Sequence, residues 1–248
     1  MSTVPHTIVV GGTRGIGRAV VKRFQELGHT VSVLGRRDAD EARLPGAKIC
    51  KVDLTNARSL RTVLGRAIKE HGPVANVIFL QRFRGEGDPW QDELNVSITA
   101  TRNILEQLRG QFAKSSAVVI VASHASHFVA AEQPVGYHVG KAALVQLARY
   151  YAAALGSEGV RVNCVTPGVV VKEESSEFFR RNRLLRELYC RITPLGRMGR
   201  AEDIAEVVAF FCSAQASFIT GQDLVVDGGL TLTYHESLAR KLVPLKSV

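Results

Sequence analysis

Residues 6–17 read His6-Thr7-Ile8-Val9-Val10-Gly11-Gly12-Thr13-Arg14-Gly15-Ile16-Gly17, an apolar run that ends in a glycine-rich loop. The run predicts a buried strand, and residues 15–27 have the apolar periodicity of a helix that stops at Gly28. Glycines at 11, 15 and 17 allow a tight turn, close approach of a pyrophosphate, and close packing of helix against strand. The N-terminus of the helix would then present N–H groups and a positive dipole end to the phosphates.

The rest of the chain alternates strand-like and helix-like segments. We expect further strands at 29–34, 48–52, 74–80, 117–122, 159–165 and 223–226, with helices at about 56–71, 91–112, 135–155 and 201–213. This order predicts an α/β fold: a single Rossmann-type, doubly wound, mostly parallel seven-stranded sheet with helices on both faces. We expect one dinucleotide-binding catalytic domain over residues 1–248, with a lid at about 170–200 and a C-terminal tail at about 233–248.

Composition narrows the class of protein. The chain has 248 residues, 46% of them hydrophobic, and no apolar run long enough to span a membrane. Its net charge of +9 comes without a nucleic-acid-binding motif, so we expect neither nucleic acid nor membrane as a partner. The four cysteines are scattered and lack metal-ligand spacing, which predicts reduced thiols, a cytoplasmic protein and no metal.

A local basic cluster lies in the predicted lid. It consists of Arg180, Arg181, Arg183, Arg186 and Arg191. Such a cluster is commonly a solvated helix face. The alternative is a basic rim that meets an anionic substrate or carrier.

The residues with the clearest chemistry are Ser123, Tyr137 and Lys141. Tyr137 and Lys141 are four residues apart, so they share one face of the predicted helix. A lysine cation beside a phenol favours the phenolate and lowers the tyrosine pKa, which makes the phenol a usable proton donor near neutral pH. A nearby serine hydroxyl can hydrogen-bond a carbonyl oxygen. The three groups together suit proton transfer to an oxygen during hydride transfer.

The end of the second strand indicates which dinucleotide is bound. Enzymes that use NAD usually carry an acidic residue there, whereas this chain has Arg36 and Arg37. The Arg36 guanidinium can form bidentate hydrogen bonds with a 2′-phosphate, and Arg14 in the glycine loop adds a second cation. These residues favour NADP(H); the alternative is that Arg36 and Arg37 are ordinary turn residues. Asp53, after the third strand, could accept a hydrogen bond from the adenine amino group or simply be an acid at a helix N-terminus.

With these motifs in order, the chain resembles the short-chain dehydrogenase/reductase family from about residue 6 to 232. The segments 161–168 (RVNCVTPG), 194–204, Thr220-Gly221-Gln222 and Val226-Asp227-Gly228-Gly229 are similar to its later signatures. Within the family, the chain resembles members similar to 3-oxoacyl-carrier-protein reductases and polyketide ketoreductases. This likeness implies a homodimer or homotetramer.

The resemblance also implies roles for individual residues. Tyr137 would be the general acid–base, Ser123 would orient the carbonyl, and Lys141 would lower the tyrosine pKa and bind the nicotinamide ribose. Ser97 would take a fourth catalytic position, with Asn95 as the alternative. The cofactor would be held by Gly11, Thr13, Arg14, Gly15, Ile16, Gly17, Arg36, Arg37, Asp53, Leu54, Leu80, Gln81, Tyr137, Lys141, Pro167, Gly168 and Val170.

The chain departs from the family pattern at several positions. Val10 stands where the family usually has a threonine, and Ser97 where it has an asparagine. Residues 79–82 read Phe-Leu-Gln-Arg in place of Asn-Asn-Ala-Gly, which brings long side chains beside the cofactor. Lys172 replaces a threonine that often follows the Pro-Gly pair.

The expected activity is NADPH-dependent reduction of a ketone or β-ketoacyl carbonyl to an alcohol. The substrate is expected to be a small carbonyl compound, either free or tethered to a carrier protein. Two alternatives stay open. One is a dehydrogenase or reductase of a free secondary metabolite, and the other is a weakly catalytic NADP(H)-binding regulatory protein.

Overall fold

The computed structural model describes residues 4–36 and 44–243. In these residues the strands are β1 His6–Val10, β2 Thr30–Gly35, β3 Lys48–Lys51, β4 Val74–Phe79, β5 Phe112–Val121, β6 Val160–Pro167, β7 Val170–Val171, β8 Gly199–Arg200 and β9 Asp223–Val226. The α-helices are α1 Gly15–Glu26, α2 Ala57–His71, α3 Gln91–Leu94, α4 Ala100–Leu108, α5 Val135–Leu155, α6 Glu173–Arg181, α7 Arg183–Ile192, α8 Ala201–Cys212 and α9 His235–Leu242.

The main sheet confirms the predicted fold class. Its order in the described residues is β3-β2-β1-β4-β5-β6-β9, and every neighbouring pair is parallel. The chain runs outward from β1 to β3 and then returns to place β4 on the other side of β1. In a doubly wound sheet, ligands bind outside the carboxyl ends of the strands at such a reversal. A separate parallel pair, β7 with β8, frames the lid region.

Strands buried on both faces explain the continuous apolar runs in the sequence. Along β1, Ile8 and Val10 pack into one hydrophobic cluster with α2, α4 and α5, while Val9 packs into a second cluster with α1 and α8. Because side chains alternate across a strand, a layer of helices on each face requires apolar residues at every position. The two clusters therefore fix the helices on both sides of the sheet and hold the strand ends in place.

The helix expected over 91–112 is wrong in two respects. A π-helical turn at Asn95–Thr99 separates α3 from α4, and α4 ends at Leu108. Gly110 has a left-handed backbone, with φ of 71°, and this breaks the helix before β5 begins at Phe112. Strand β5 starts five residues earlier than the apolar run at 117–122 predicts, because the polar residues Lys114, Ser115 and Ser116 interrupt its apolar pattern.

Candidate active site

The glycine loop after β1 has the geometry that its sequence predicts. Gly11 and Gly15 adopt positive φ angles of 85° and 52°. A Cβ on Gly17 would lie 2.3 Å from the carbonyl oxygen of Gly11, so the close approach of α1 to the loop requires glycine there. In the described residues no side chain caps α1, and its first turn has no acidic residue. The N–H groups of that turn are therefore suited to the pyrophosphate of a dinucleotide.

Ser123, Tyr137 and Lys141 meet at the carboxyl ends of β5 and β6. Ser123 follows β5 by two residues, and Tyr137 lies in the first turn of α5, one turn before Lys141. The Ser123 side chain lies close enough to the Tyr137 hydroxyl to lower the tyrosine pKa. The Lys141 Nζ lies 5.7 Å from the centroid of the Tyr137 ring and donates a hydrogen bond to the Val121 carbonyl at 3.0 Å. The three residues therefore form one constellation.

Two glycines in α5 allow this helix to pack closely where the tyrosine sits. A Cβ on Gly136 would lie 2.4 Å from the Pro89 carbonyl oxygen, and one on Gly140 would touch the buried Glu93 side chain at 3.4 Å. Both glycines are buried, and they flank Tyr137 along the helix. Close packing of α5 against the Pro89 backbone and the Glu93 side chain therefore positions the turn that carries the phenol.

The charges around Tyr137 favour its phenolate. Burial raises the pKa of Tyr137, but the Lys141 cation and the Ser123 hydrogen bond lower it, and Arg82 and Lys172 act in the same direction. The net result is a tyrosine pKa below its ordinary value. A phenol with a lowered pKa gives up its proton more readily near neutral pH, as a general acid must.

Most residues that the sequence singles out line the same pocket. They are Gly11, Thr13, Arg14, Gly15, Ile16, Gly17, Arg36, Leu54, Leu80, Gln81, Ser123, Tyr137, Lys141, Pro167, Gly168 and Val170. Arg37 lies outside the described residues. Asp53 is not in the lining, and its carboxylate accepts hydrogen bonds from the N–H and hydroxyl of Thr55 at 2.9 and 2.8 Å. Its contact with adenine stays a prediction.

Neither candidate for the fourth catalytic position points a side chain into the pocket lining. Ser97 is fully buried, and its hydroxyl donates to the Glu93 carboxylate. Asn95 accepts a hydrogen bond from Gln91, while Val96 between them lines the pocket. Both residues belong to the π-helical turn, a form of helix that frequently occurs at functional sites. A role for either residue stays a prediction.

The unusual segment 79–82 sends its long side chains in different directions. Phe79 is buried in the core, and Gln81 donates to the Thr101 hydroxyl at 2.7 Å. Leu80 packs against the α1 and α8 side of the sheet and also lines the pocket. Arg82 reaches the active site, where its guanidinium lies 4.6 Å from the centroid of the Tyr137 ring. Sequence reasoning noted the replacement but did not place the arginine on the tyrosine.

The lid contributes two residues to the pocket that carry charge. Lys172 and Glu174 line it together with Arg84, which follows β4. Glu174 forms an ion pair with Arg14 at 3.6 Å, and Arg18 binds the neighbouring Glu173. The lid is thus tied to the N-terminal end of α1. Nothing in the local sequence signals these contacts, because they join segments far apart in the chain.

Comparison with known proteins identifies the family. A family model described as enoyl-(acyl carrier protein) reductase matches residues 10–231. A curated relative is 31% identical over 91% of this chain and 95% of its own length; it is the A-factor type gamma-butyrolactone 1'-reductase (1S-forming) of Streptomyces virginiae. The chain belongs to the short-chain dehydrogenase/reductase family. It is therefore an oxidoreductase of the class that acts on CH–OH or C=O groups and binds a nicotinamide cofactor.

Further members of the short-chain dehydrogenase/reductase family are similar in sequence and structure. A 3-oxoacyl-acyl-carrier-protein reductase of Chlamydia pneumoniae is 30% identical over 90% of this chain and 96% of its own. A short-chain type dehydrogenase/reductase from Mycobacterium ulcerans is 26% identical, with a TM-score of 0.82 and coverage of 94% of this chain and 92% of its own. The ligand-free aldohexose dehydrogenase of Thermoplasma acidophilum has a TM-score of 0.85 at 23% identity, with 94% and 96% coverage, and supports the fold alone.

Two kinds of feature are missing from the described part of this family member. Across residues 4–36 and 44–243, no helix combines the length and apolar character needed to cross a bilayer. In the same residues, no group of three or more His, Cys, Asp or Glu side chains is placed to hold a metal ion.

Removing the Lys141 cation should change the pH dependence of this short-chain dehydrogenase/reductase. With Tyr137 as the proton donor, reduction would need the protonated phenol, so kcat/KM for reduction should fall as pH rises through the pKa of Tyr137. Lys141→Ala removes the largest influence that lowers this pKa, so the fall should move to higher pH. We also expect kcat/KM at pH 7 to drop roughly 100-fold. Steady-state kinetics across pH would measure both effects. Lys141→Arg keeps the charge, so the pH at which kcat/KM falls should stay closer to that of the wild type. The same pH for this fall in Lys141→Ala and in the wild type would contradict the account.

Removing the carboxylate of Glu174 should strengthen dinucleotide binding. Its Oε2 lies 3.1 Å from the position of a Cβ on Gly15, so it sits against the loop that faces the pyrophosphate. The Glu174 carboxylate and the pyrophosphate are both negatively charged, so they would repel each other. Because Glu174→Gln removes this repulsion, we expect the Kd of the nicotinamide dinucleotide to fall roughly 3- to 10-fold. Fluorescence titration or calorimetry would measure it. Glu177→Gln is the matched control, since the Glu177 carboxylate faces Arg180 and Arg181 on the same helix. Weaker binding by Glu174→Gln would refute this prediction.

Proposed function

We propose that this protein is an NADPH-dependent reductase that converts a ketone or β-ketoacyl carbonyl into an alcohol. The observation that carries the proposal is the constellation of Ser123, Tyr137 and Lys141 beside the glycine loop, all in the lining of one pocket. The hydrogen bond from Ser123 and the Lys141 cation both act to lower the Tyr137 pKa, as expected for a proton donor.

Ser123, Tyr137 and Lys141 would each have a separate role in the reaction. Bound NADPH would supply the hydride that adds to the carbonyl carbon. The Ser123 hydroxyl would donate a hydrogen bond to the carbonyl oxygen and orient it. Tyr137 would give its proton to that oxygen as negative charge develops, and Lys141 would stabilise the phenolate that remains. In the reverse direction the phenolate would take the proton from an alcohol.

The choice of NADP(H) over NAD(H) rests on positive charge. Arg36 is exposed at the end of β2 and lines the pocket, where an NAD enzyme usually carries an acid. Its exposed position leaves the guanidinium accessible to a 2′-phosphate, which it can bind through two parallel hydrogen bonds.

A second candidate substrate class is a free secondary metabolite. The relative from Streptomyces virginiae is named as a reductase of a gamma-butyrolactone, and its identity to this chain equals that of the carrier-protein reductase within one percentage point. The exposed lid arginines, including Arg180, Arg181 and Arg183, would instead favour an acidic carrier. Residues 79–82 depart from the family pattern. Because of this departure, a weakly catalytic regulatory protein that binds NADP(H) is the alternative to an enzyme.

Turnover against matched substrates would test the proposal. NADPH oxidation is followed with free ketones, gamma-butyrolactone ketones, and β-ketoacyl thioesters on both pantetheine and acyl carrier protein. Reduction with NADPH preferred over NADH is expected. A clear preference for the carrier-bound thioester would favour the first class, and a preference for the lactone ketones the second. NADPH binding without turnover of any of these would instead support the regulatory role.

We further propose the setting in which the enzyme works. The whole chain would act as one catalytic domain, assembled as a homodimer or homotetramer, as the family likeness implies. The thiols of Cys50, Cys164, Cys190 and Cys212 form no disulfide, which supports a reducing, cytoplasmic location. Light scattering would measure the oligomeric state.

A further inference from the structure

Positive charge is concentrated beside the proton-donating tyrosine. Arg82, Arg84 and Lys172 line the pocket, and the charges of Arg82 and Lys172 act on Tyr137. Glu174 is the acidic residue in that lining, and it is engaged by Arg14 at 3.6 Å. Burial lowers the pKa of Lys172, and Arg84 and Arg82 lower it further, while Tyr137 and Glu174 act in the opposite direction. This surplus of cations would be relieved by a bound anion.

Arg82 is placed to serve a substrate. Its guanidinium lies over the Tyr137 ring, and one terminal nitrogen is 3.4 Å from the side-chain oxygen of Gln133. Gln133 belongs to the loop that joins Ser123 to α5, so both contacts are with the elements that hold the carbonyl. The Nε of Arg82 is buried and has no hydrogen-bond partner in the described residues. A donor buried in this way is costly unless a ligand satisfies it.

The neighbouring Arg84 lies closer to the dinucleotide side. Its carbonyl oxygen accepts a hydrogen bond from Arg36 at 3.4 Å, and its charge interacts with those of Arg14 and Arg82 and with Tyr137. Arg14 and Arg36 flank the glycine loop and the end of β2, where the phosphates would bind. Arg82 is distinguished from this group by its contact with the tyrosine. Arg84 therefore lies between the cations near the phosphate loop and the cations beside the tyrosine, and Arg82 has the direct contact with the Tyr137 ring.

We propose that Arg82, assisted by Lys172, binds a carboxylate that the substrate carries one to three bonds from its carbonyl carbon. The preferred substrates are then keto acids, an inference that rests on the proposed carbonyl reduction. The planar guanidinium matches the two oxygens of a carboxylate, and the pair would hold the carbonyl against Ser123 and Tyr137. The family's small residue at position 82 and threonine at position 172 carry no charge for this purpose.

Matched acids and esters test the proposal by turnover. The substrates are 2-oxobutanoate and 4-oxopentanoate, each compared with its methyl ester. For at least one pair the wild type should favour the acid over the ester in kcat/KM by at least roughly 10-fold. Arg82→Gln should reduce this preference by roughly 10-fold or more, and Lys172→Thr should reduce it in the same direction. Arg66→Gln is the control, because Arg66 is an exposed arginine on α2 outside the pocket lining, and it should leave the acid-to-ester ratio unchanged.

A binding measurement separates this proposal from the proposed function. Calorimetry on NADPH-loaded protein compares 2-hydroxybutanoate with its methyl ester, a pair that cannot be reduced. Tighter binding of the acid, lost in Arg82→Gln, would support the anion site even if no carbonyl compound were turned over. Turnover of ketones with the ester equal to or better than the acid in both pairs would overturn the keto-acid proposal and leave carbonyl reduction standing. An acid preference that persists in Arg82→Gln would also overturn it.

Discussion

Replacing Tyr137 with phenylalanine should lower kcat/KM for carbonyl reduction by roughly 10²- to 10⁴-fold. The substitution removes the hydroxyl that would protonate the alkoxide, but it keeps the aromatic ring that contacts Arg82. The Kd of NADPH should change by less than about 3-fold, because the phosphate loop, Arg36 and Lys141 remain. Steady-state kinetics and a separate binding titration would measure the two effects independently.

Tyr150→Phe is the matched control for this prediction. Tyr150 lies on the same helix as Tyr137 but is 61% exposed, so loss of its hydroxyl should leave kcat/KM unchanged. Similar thermal unfolding midpoints for the two variants would show that both are folded. Retention of more than a tenth of the wild-type kcat/KM by Tyr137→Phe would contradict the role of Tyr137 as general acid.

Replacing Arg36 with glutamate should reverse the preference for NADPH. The arginine would contribute charge-assisted hydrogen bonds to the 2′-phosphate, and glutamate would repel the same group. Since the site is exposed, we expect NADPH to bind roughly 10- to 100-fold more weakly. NADH lacks the phosphate, so its Kd should change by only about 3-fold or less. Titrations of both cofactors would give the ratio.

Arg66→Glu is the control for the change in net charge. Arg66 is exposed on α2 and does not belong to the pocket lining, so this variant should keep the wild-type ratio of the two Kd values. A general effect of charge would weaken NADPH binding in both variants alike. An unchanged ratio in Arg36→Glu would remove the basis for choosing NADP(H).

Local sequence predicts those elements whose limits are set by neighbouring residues. Helix α5 has the predicted bounds of 135 and 155, because Pro134 precedes its first turn and Gly156 follows its last. The start of strand β5 at Phe112 is harder to predict from local sequence, because the exposed polar residues Lys114 and Ser115 interrupt the apolar pattern of the strand. Its register against β4 shifts between Val74 and Asn76, a feature of tertiary pairing.

The candidate site shows a similar division between local and distant information. The glycine loop and the spacing of Tyr137 and Lys141 are local patterns, so their chemistry could be predicted. Arg82 and Lys172 were visible as departures from the family, but whether they reach the tyrosine depends on how β4 and the lid pack. Glu174 faces the glycine loop although the two are far apart in the sequence, and no residue near Glu174 in the sequence indicates this contact.

Transfer of deuterium would test the central claim most directly. The protein is incubated with NADPH deuterated on the transferable C4 position and with the carbonyl substrates described above, and the alcohol is analysed by mass spectrometry. We expect deuterium on the former carbonyl carbon with the wild type, and loss of this product with Tyr137→Phe. A wild-type protein that binds the labelled NADPH and yields no deuterated alcohol from any substrate class would contradict the assignment as a carbonyl reductase.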